Sequence, residues 1–176
     1  MDRPAFLYHA SQDRSIDIFK PRAEHIRDPK EGPMVFATPD KVMASVFIVP
    51  TDDSWTNSGL FGNVHFFVCG DETRFREIDK GGAVYTLPPD TFENDPSRGL
   101  GAREWTSTLP VKPISKEEYK SGLEAMLEMG VQVYFIGKEK FQELKNSSDH
   151  GNTVLRESVS VNQIRSKNVR VLPEIG

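Results

Sequence analysis

The chain has 176 residues, of which 37% are hydrophobic and 27% are charged, and its net charge is −4 at pH 7. This length and composition predict a single globular domain over residues 1–176. The net negative charge argues against a protein that binds nucleic acid through its overall electrostatic field. One cysteine excludes an intramolecular disulfide, and the lack of a leader-like N-terminus or of about 18 consecutive apolar residues predicts a cytoplasmic protein without a membrane partner.

Seven short segments are rich in β-branched or aromatic residues and are bounded by Gly, Pro or Asp, a pattern that predicts β-strands. In chain order they run from Ala5 to His9, Met34 to Ala37, Val64 to Cys69, Thr73 to Ile78, Ala83 to Leu87, Glu104 to Thr108 and Val131 to Ile136. Because several of them follow one another without an intervening helical pattern, antiparallel pairing is favoured over a doubly wound parallel sheet.

Helix start signals interrupt this series of strands at two places. Thr38 precedes Pro39 in the order of an N-cap and a first helical residue, and residues 115–118 have the sequence of a capping box. The helix after the capping box is expected to end before Gly130, a residue suited to the C′ position. A third helix is expected to begin near Lys138. Together with the strands, these helices predict the α+β class.

Two residues stand where a side chain can line a cleft. His9 ends the first predicted strand, directly before the small residues Ala10 and Ser11, so a ligand can approach the backbone closely there. Glu104 opens a predicted strand after a stretch rich in turn-forming residues, a common setting for a catalytic acid. The alternatives are a hydrogen-bonded histidine at a strand end and a surface glutamate at a strand edge.

Other chemistries have no pattern in this sequence. The histidines do not have metal-ligand spacing, so no metal site is predicted. The sequence has neither a G-x-S-x-G nucleophile elbow nor a Gly-rich fingerprint after a strand, which leaves a serine hydrolase, a Rossmann unit and a P-loop without support. Cys69 lies in an apolar run and is expected to be buried.

Three segments remain, and their order along the chain is informative. They are Leu7-Tyr8-His9-Ala10-Ser11, then Met34-Val35-Phe36-Ala37-Thr38 with the helix that carries Phe47, and finally Arg103-Glu104-Trp105. The first has a histidine before a small residue, the second ends in an aromatic and a small residue before a helix, and the third has a glutamate at a strand start. This series resembles the ADP-ribosyltransferase superfamily, in the branch with a histidine, tyrosine and glutamate triad.

The resemblance implies a split, mostly antiparallel β-sheet core with a few flanking helices, and NAD as co-substrate. His9 would hydrogen-bond a ribose of NAD, and the backbone of Ala10 would hold the nicotinamide amide. Glu104 would bind the nicotinamide ribose and stabilise the oxocarbenium-like transition state as nicotinamide leaves. The other residues of the implied NAD site are Ser11, Phe36, Thr38 and Phe47.

The sequence departs from the family pattern at two positions. The family's stacking tyrosine would fall at Val35, and Ala10 replaces the usual glycine. Two functions therefore remain open: a mono-ADP-ribosyltransferase whose acceptor is a small molecule, a protein or a nucleic acid, and a catalytically inactive binding or interaction module of the same fold. A hydrolase of unrelated fold is a third alternative and has no motif to support it.

Overall fold

The computed structural model describes residues 3–23, 32–97 and 99–170, with only the backbone described for residues 166–170. The chain combines helices with mainly antiparallel sheets, so the α+β class predicted from the sequence is confirmed. Two compact units are present: unit 1 comprises Met1–Ile48 and Gly81–Lys120, and unit 2 comprises Val49–Lys80 and Ser121–Gly176. The prediction of one domain over residues 1–176 stays a prediction.

The helices and strands are numbered here in chain order and grouped by unit. Unit 1 holds strands β1 (Leu7–Ser11), β2 (Val35–Ala37), β5 (Gly82–Leu87), β6 (Trp105–Ser107) and β7 (Ser115–Tyr119), helix α1 (Lys41–Ser45) and a 3-10 turn (Gly101–Arg103). Unit 2 holds strands β3 (Thr56–Phe61), β4 (Val64–Cys69) and β8 (Gln132–Phe135) and helices α2 (Glu72–Ile78), α3 (Gly122–Glu128), α4 (Lys138–Asn146), α5 (Asn152–Glu157) and α6 (Val161–Arg170).

Antiparallel pairing organises both sheets of unit 1. One sheet has the order β1-β5-β7, and the other pairs β2 with β6. In the second sheet Ala37 lies opposite Trp105. Among the described residues, one bridge, between Tyr8 and Thr38 just after β2, links β1 to the second sheet. The segments that carry the family resemblance therefore lie on β1, β2 and β6, which are neighbours in that order; we call them the motif strands.

One hydrophobic cluster of unit 1 lies against one side of these strands, and Ala10 and Val84 on the other side are buried as well. Side chains that alternate along β1, β2, β5 and β6 are buried in the cluster together with Phe19, Phe92 and Val111 from the connecting segments. The strand residues in this cluster include Leu7, Val35, Ala37, Tyr85, Leu87 and Trp105. We call this the core side of the strands, because residues with the same alternation share one face of a sheet.

Unit 2 is built on a three-stranded sheet of order β3-β4-β8. β3 and β4 pair antiparallel, whereas β4 and β8 pair parallel. Helices α4 and α5 contribute Phe141, Leu144, Val154 and Leu155 to a buried cluster with Val68 of β4. Unit 2 therefore has a core of its own.

Several strands predicted from the sequence are confirmed. The prediction for Val64 to Cys69 coincides with β4, and those near residues 34–37, 83–87, 104–108 and 131–136 match β2, β5, β6 and β8 within one residue at each end. The first strand begins later than predicted, because β1 runs over Leu7–Ser11. Cys69 is fully buried, as expected. β3 was not predicted, since its Asn, Ser and Gly residues are poor strand formers and pairing with β4 determines its conformation.

The strand predicted from Thr73 to Ile78 is wrong, because this segment forms helix α2. The Asp71 carboxylate caps the helix by accepting a hydrogen bond from the Arg74 backbone N–H at 3.0 Å. Phe75 is fully buried and packs against Phe67 and Phe135 at ring-centroid distances of 5.6 and 5.4 Å. A segment in which only the Phe75 ring is deeply buried is compatible with a helix, and the Asp71 cap marks where the helix starts.

The two predicted helix starts lie elsewhere. Residues 115–118 belong to strand β7, and helix α3 begins after the N-cap Ser121. The first helix is capped by Asp40 instead of Thr38, which is bridged to Tyr8. In both cases the residues with the local capping pattern are paired with a strand and therefore do not cap a helix. The expected C′ glycine is confirmed, since Gly130 follows α3 with φ +85°.

The third predicted helix is confirmed by α4, which starts at Lys138. No helix within the part of the chain that the structure describes is long and apolar enough to cross a membrane.

Candidate functional site

His9 lies on β1, and its side chain reaches the backbone of β2. Its Nδ1 atom is 2.6 Å from the carbonyl oxygen of Phe36, and its ring packs on Phe19 with 4.6 Å between centroids. His9 is directly opposite Tyr85 of β5, so its side chain is on the core side. A carbonyl oxygen only accepts hydrogen bonds, and Nδ1 is therefore the protonated nitrogen of this bond.

The charge state of His9 follows from its surroundings. Burial lowers the pKa of His9, the hydrogen bond to Phe36 raises it, and the positive charge of Arg22 lowers it, with burial the largest cause. The imidazole is thus neutral at pH 7. With the proton on Nδ1, Nε2 keeps its lone pair and can accept a hydrogen bond from a hydroxyl group.

The backbone ladder between β1 and β2 ends next to His9. The Tyr8 N–H donates to Thr38 O at 2.7 Å and the Thr38 N–H donates to Tyr8 O at 3.0 Å; among the described residues no other backbone bond joins the two strands. Backbone groups alternate between the two edges of a strand, so the N–H and C=O of Ala10 point toward the same edge as those of Tyr8. We call the resulting gap, bordered by Ala10 and His9, the β1–β2 opening.

The predicted NAD-site residues fall into two groups by strand alternation. His9 and Ser11 have their side chains on the core side, since Ser11 lies opposite the buried Ala83. Ala10, Phe36 and Thr38 alternate with core-side neighbours and are therefore on the opposite side of the strands. The structure brings His9 and Phe36 together through the imidazole and the Phe36 carbonyl, whereas their side chains face different ways.

Local hydrogen bonds already occupy two of the predicted hydroxyl groups. Thr38 Oγ1 accepts from the Asp40 N–H at 3.1 Å and so supports the start of α1. Ser11 Oγ accepts from the Asp13 N–H at 3.1 Å. Phe47, just after α1, has 52% of its surface exposed. Its ring is thus available to solvent or to a ligand.

The position of the family's stacking tyrosine is part of the core. Val35 is only 4% exposed and lies opposite Ser107, which is also buried. Phe36 is half-buried and lies opposite Thr106 on the other side of the motif strands. An aromatic ring is therefore present one residue later than the family pattern and on the opposite side of β2.

Glu104 immediately precedes β6 and ends the 3-10 turn. Its N–H donates to Gly101 O at 3.1 Å, and its Oε2 accepts from the Leu100 N–H at 3.4 Å. The backbone of Glu104 is extended, with φ −110° and ψ 122°, so its side chain alternates with that of the core-side Trp105. The carboxylate is therefore directed to the side opposite the core.

This alternation determines which predicted residues meet. One further step of the β2–β6 register puts Glu104 opposite Thr38, which is in turn bridged to Tyr8. Glu104 therefore shares a side of the strands with Ala10, Thr38 and Phe36 but not with His9.

Asn94 contacts Glu104 and was not singled out from the sequence. Its side-chain Nδ2 donates to Gly101 O at 2.9 Å and to Glu104 O at 2.6 Å. The sequence shows Asn94 only as one of several turn-forming residues before Glu104. A contact that depends on how a loop closes leaves no periodic pattern, and no sequence signal identifies it.

Unit 2 contains a cavity of about 290 Å³ with a mainly polar lining, which includes Asp53, Asn57, Lys145, Ser147 and His150. None of the residues predicted from the sequence lines this cavity. Across residues 3–23, 32–97 and 99–165, no group of three or more His, Cys, Asp or Glu side chains is arranged to hold a metal ion.

Comparison of the chain with protein-family models, with curated proteins and with solved structures finds no match.

Proposed function

We propose that unit 1 binds NAD at the β1–β2 opening and that the chain is a mono-ADP-ribosyltransferase with an ADP-ribosyltransferase-like fold. The observation that carries the proposal is the opening itself. Three segments far apart in sequence, which resemble the family motifs, lie on successive strands, and the backbone ladder between the two strands with the first two motifs ends beside His9.

The chemistry of the opening suits a primary carboxamide. The backbone of Ala10 directs one donor and one acceptor into the gap, and a carboxamide has an acceptor oxygen and a donor NH₂ group. The nicotinamide end of NAD has this group. Nε2 of the neutral His9 is a hydrogen-bond acceptor, which complements a ribose hydroxyl.

Glu104 supplies the charge that the reaction needs. When the bond between ribose C1′ and the nicotinamide nitrogen breaks, its electron pair leaves with nicotinamide and positive charge develops on the ribose. The acceptor's nucleophile then attacks C1′ and loses its proton. A fixed carboxylate beside the ribose stabilises this cationic transition state more than the ground state, and Phe36 on the same side offers a ring for stacking.

A second candidate is a catalytically inactive binding or interaction module of the same fold. Two observations favour it: the stacking position is the buried Val35, and the Glu104 side chain is directed to the side away from His9. Such a module would bind NAD or another nucleotide without cleaving it, or would bind a partner without any nucleotide.

The deciding experiment measures NAD binding and NAD cleavage on the same preparations. NAD at a hundredfold over its dissociation constant should stabilise the fold by about 2.7 kcal/mol. Glu104→Gln should reduce cleavage by about 10²–10³ because it removes the charge but keeps the shape, with NAD affinity nearly unchanged. His9→Ala should mainly weaken NAD binding.

Glu93→Gln is the matched control for Glu104→Gln. Glu93 is exposed and bridges Thr106 of the same strand β6 through its backbone, so the control removes a carboxylate beside the site without touching the proposed role. Binding without cleavage in the wild type supports the inactive module. If the wild type neither binds nor cleaves NAD, only a module that binds a partner remains. If cleavage survives Glu104→Gln, Glu104 has no part in the mechanism.

A further inference from the structure

The side-chain amide of Asn94 holds both ends of the turn that leads into Glu104. One hydrogen bond runs to Gly101 O at 2.9 Å and the other to Glu104 O at 2.6 Å. Both partners are carbonyl oxygens, which only accept, so the NH₂ group and not the amide oxygen must face them. The two N–H donors of Asn94 are thereby both used.

Further hydrogen bonds hold the turn itself. Gly101 has φ +63°, a conformation that glycine adopts without strain, and its carbonyl accepts from the Glu104 N–H as well as from Asn94. The Glu104 carboxylate accepts from the Leu100 N–H at 3.4 Å. Glu104 is therefore held at three points, and Asn94 fixes the carbonyl oxygens on both sides of the turn.

Asn94 is in turn held by the sheet. Its neighbour Glu93 exchanges two backbone hydrogen bonds with Thr106, at 2.8 and 2.9 Å. The amide thus connects a segment paired to β6 with the turn that precedes β6. This arrangement ties the direction of Glu104 to the strand instead of leaving it to an exposed loop.

We infer that Asn94 is a positioning residue, which acts through the Glu104 backbone to hold the Glu104 carboxylate in the orientation that cleavage of NAD requires. The inference rests on the proposed transferase function. Asn94 itself touches no substrate. Because reacting groups must be placed within a fraction of an ångström, a shift of about 1 Å in a catalytic group can cost about 10² in rate.

The test compares Asn94→Ala with Asn94→Asp and with the control Ser97→Ala. Asn94→Asp keeps the shape but has no N–H donors, so it should behave like Asn94→Ala. Ser97→Ala removes a hydrogen bond of the same loop, from Ser97 Oγ to the Asp95 carboxylate, without affecting Gly101 or Glu104. Both Asn94 variants should lower kcat for NAD cleavage at least tenfold, with KM for NAD within about twofold, and the control should match the wild type.

A double-mutant comparison separates positioning from a merely structural role. In the Glu104→Gln background, Asn94→Ala should cause no further loss of kcat, because the group that it positions is already gone. A further loss of the same size in that background overturns the inference, since it would reflect damage independent of Glu104. Assays run well below each variant's melting temperature keep unfolding out of the comparison.

The remaining outcomes are also decisive. A wild type that cleaves NAD, with Asn94 variants equal to Ser97→Ala, overturns the positioning role and leaves the proposed function intact. A wild type that does not cleave NAD overturns both. An Asn94→Asp variant that keeps wild-type kcat overturns the inference even if Asn94→Ala fails to fold.

Discussion

At His9, burial and a single hydrogen bond act on the same imidazole in opposite directions. Burial lowers the pKa of His9 and the Phe36 carbonyl raises it, with burial the larger cause. The neutral ring donates from Nδ1 and keeps Nε2 as an acceptor. Protonation would convert Nε2 to a donor. We therefore expect both the stability of the fold and the affinity for a ribose hydroxyl to depend on the charge of this one residue.

The pH dependence has a definite sign. Because the pKa of His9 is lower in the folded state than the ordinary value of about 6.5, the unfolded state binds more protons, and stability is lost as the pH falls below about 6.5. His9→Asn retains an N–H donor and cannot titrate. The free energy of unfolding should decrease more for the wild type than for His9→Asn between pH 7.5 and 5.5. Parallel curves for the two proteins would contradict a neutral, half-buried His9.

At the scale of the elements, helix α3 illustrates how a cap distant in sequence selects a helix start. The Asp79 carboxylate accepts hydrogen bonds from the backbone N–H groups of Gly122 and Leu123 and from the Ser121 hydroxyl, at 2.6, 3.0 and 2.8 Å. The first-turn donors of the helix are thus satisfied by a residue that follows α2. The negative charge also complements the positive end of the helix dipole.

Removing this cap should destabilise unit 2. Asp79→Ala leaves two partly buried backbone N–H groups without their carboxylate partner, which should cost about 1–3 kcal/mol in the free energy of unfolding. Glu128→Ala removes an exposed carboxylate from the last turn of the same helix and should change the free energy of unfolding by less than about 0.5 kcal/mol. Chemical denaturation of both variants measures the difference. Equal midpoints for the two variants would show that the contacts of Asp79 contribute nothing net.

The elements also show what the sequence could predict. β4 and β8 were found because their apolar residues are dense enough to identify a buried strand. The Ser115 capping pattern misled the prediction, since β7 pairs with β5 and the helix begins where Asp79 reaches it. Local signals predict an element well when no distant partner competes for its backbone groups.

The residues of the candidate site were named from the sequence, and their role stays a prediction; their geometry could not be predicted. The motif order led to His9 and Glu104, and the structure places them on β1 and just before β6, the strands on either side of β2. The side to which each carboxylate or imidazole points depends on register and on where a strand starts, to a single residue. The contribution of Asn94 depends on loop closure, which composition does not encode.

At the scale of the whole molecule, the chain enters each compact unit twice, and each unit has one tryptophan. Trp105 belongs to unit 1 and Trp55 to unit 2, and both are buried. The sequence contains no other tryptophan. Indole fluorescence can therefore follow each unit separately once the other tryptophan is replaced.

The single-domain prediction requires both units to unfold together. In Trp55→Phe the remaining signal is from unit 1, and in Trp105→Phe it is from unit 2. In each variant the fluorescence midpoint in denaturant should coincide with the midpoint from far-UV circular dichroism, because a cooperative domain has one transition. Comparing two probes within one variant corrects for any loss of stability caused by the substitution. Separate midpoints would identify two independently folding domains.

The alternation of side chains along β6 also limits the mutational routes open to this chain during evolution. A point substitution changes a side chain and leaves its direction as it was, so a carboxylate on the His9 side of β6 would have to arise at position 105 or 107, and both positions are buried. Moving the Glu104 side chain to the His9 side of β6 would require the insertion of one codon directly after Glu104. The extra residue would form a β-bulge and reverse the alternation of side chains. Gain of an acid on that side in a descendant is thus a matter of insertions and deletions, a rarer class of mutation than base changes.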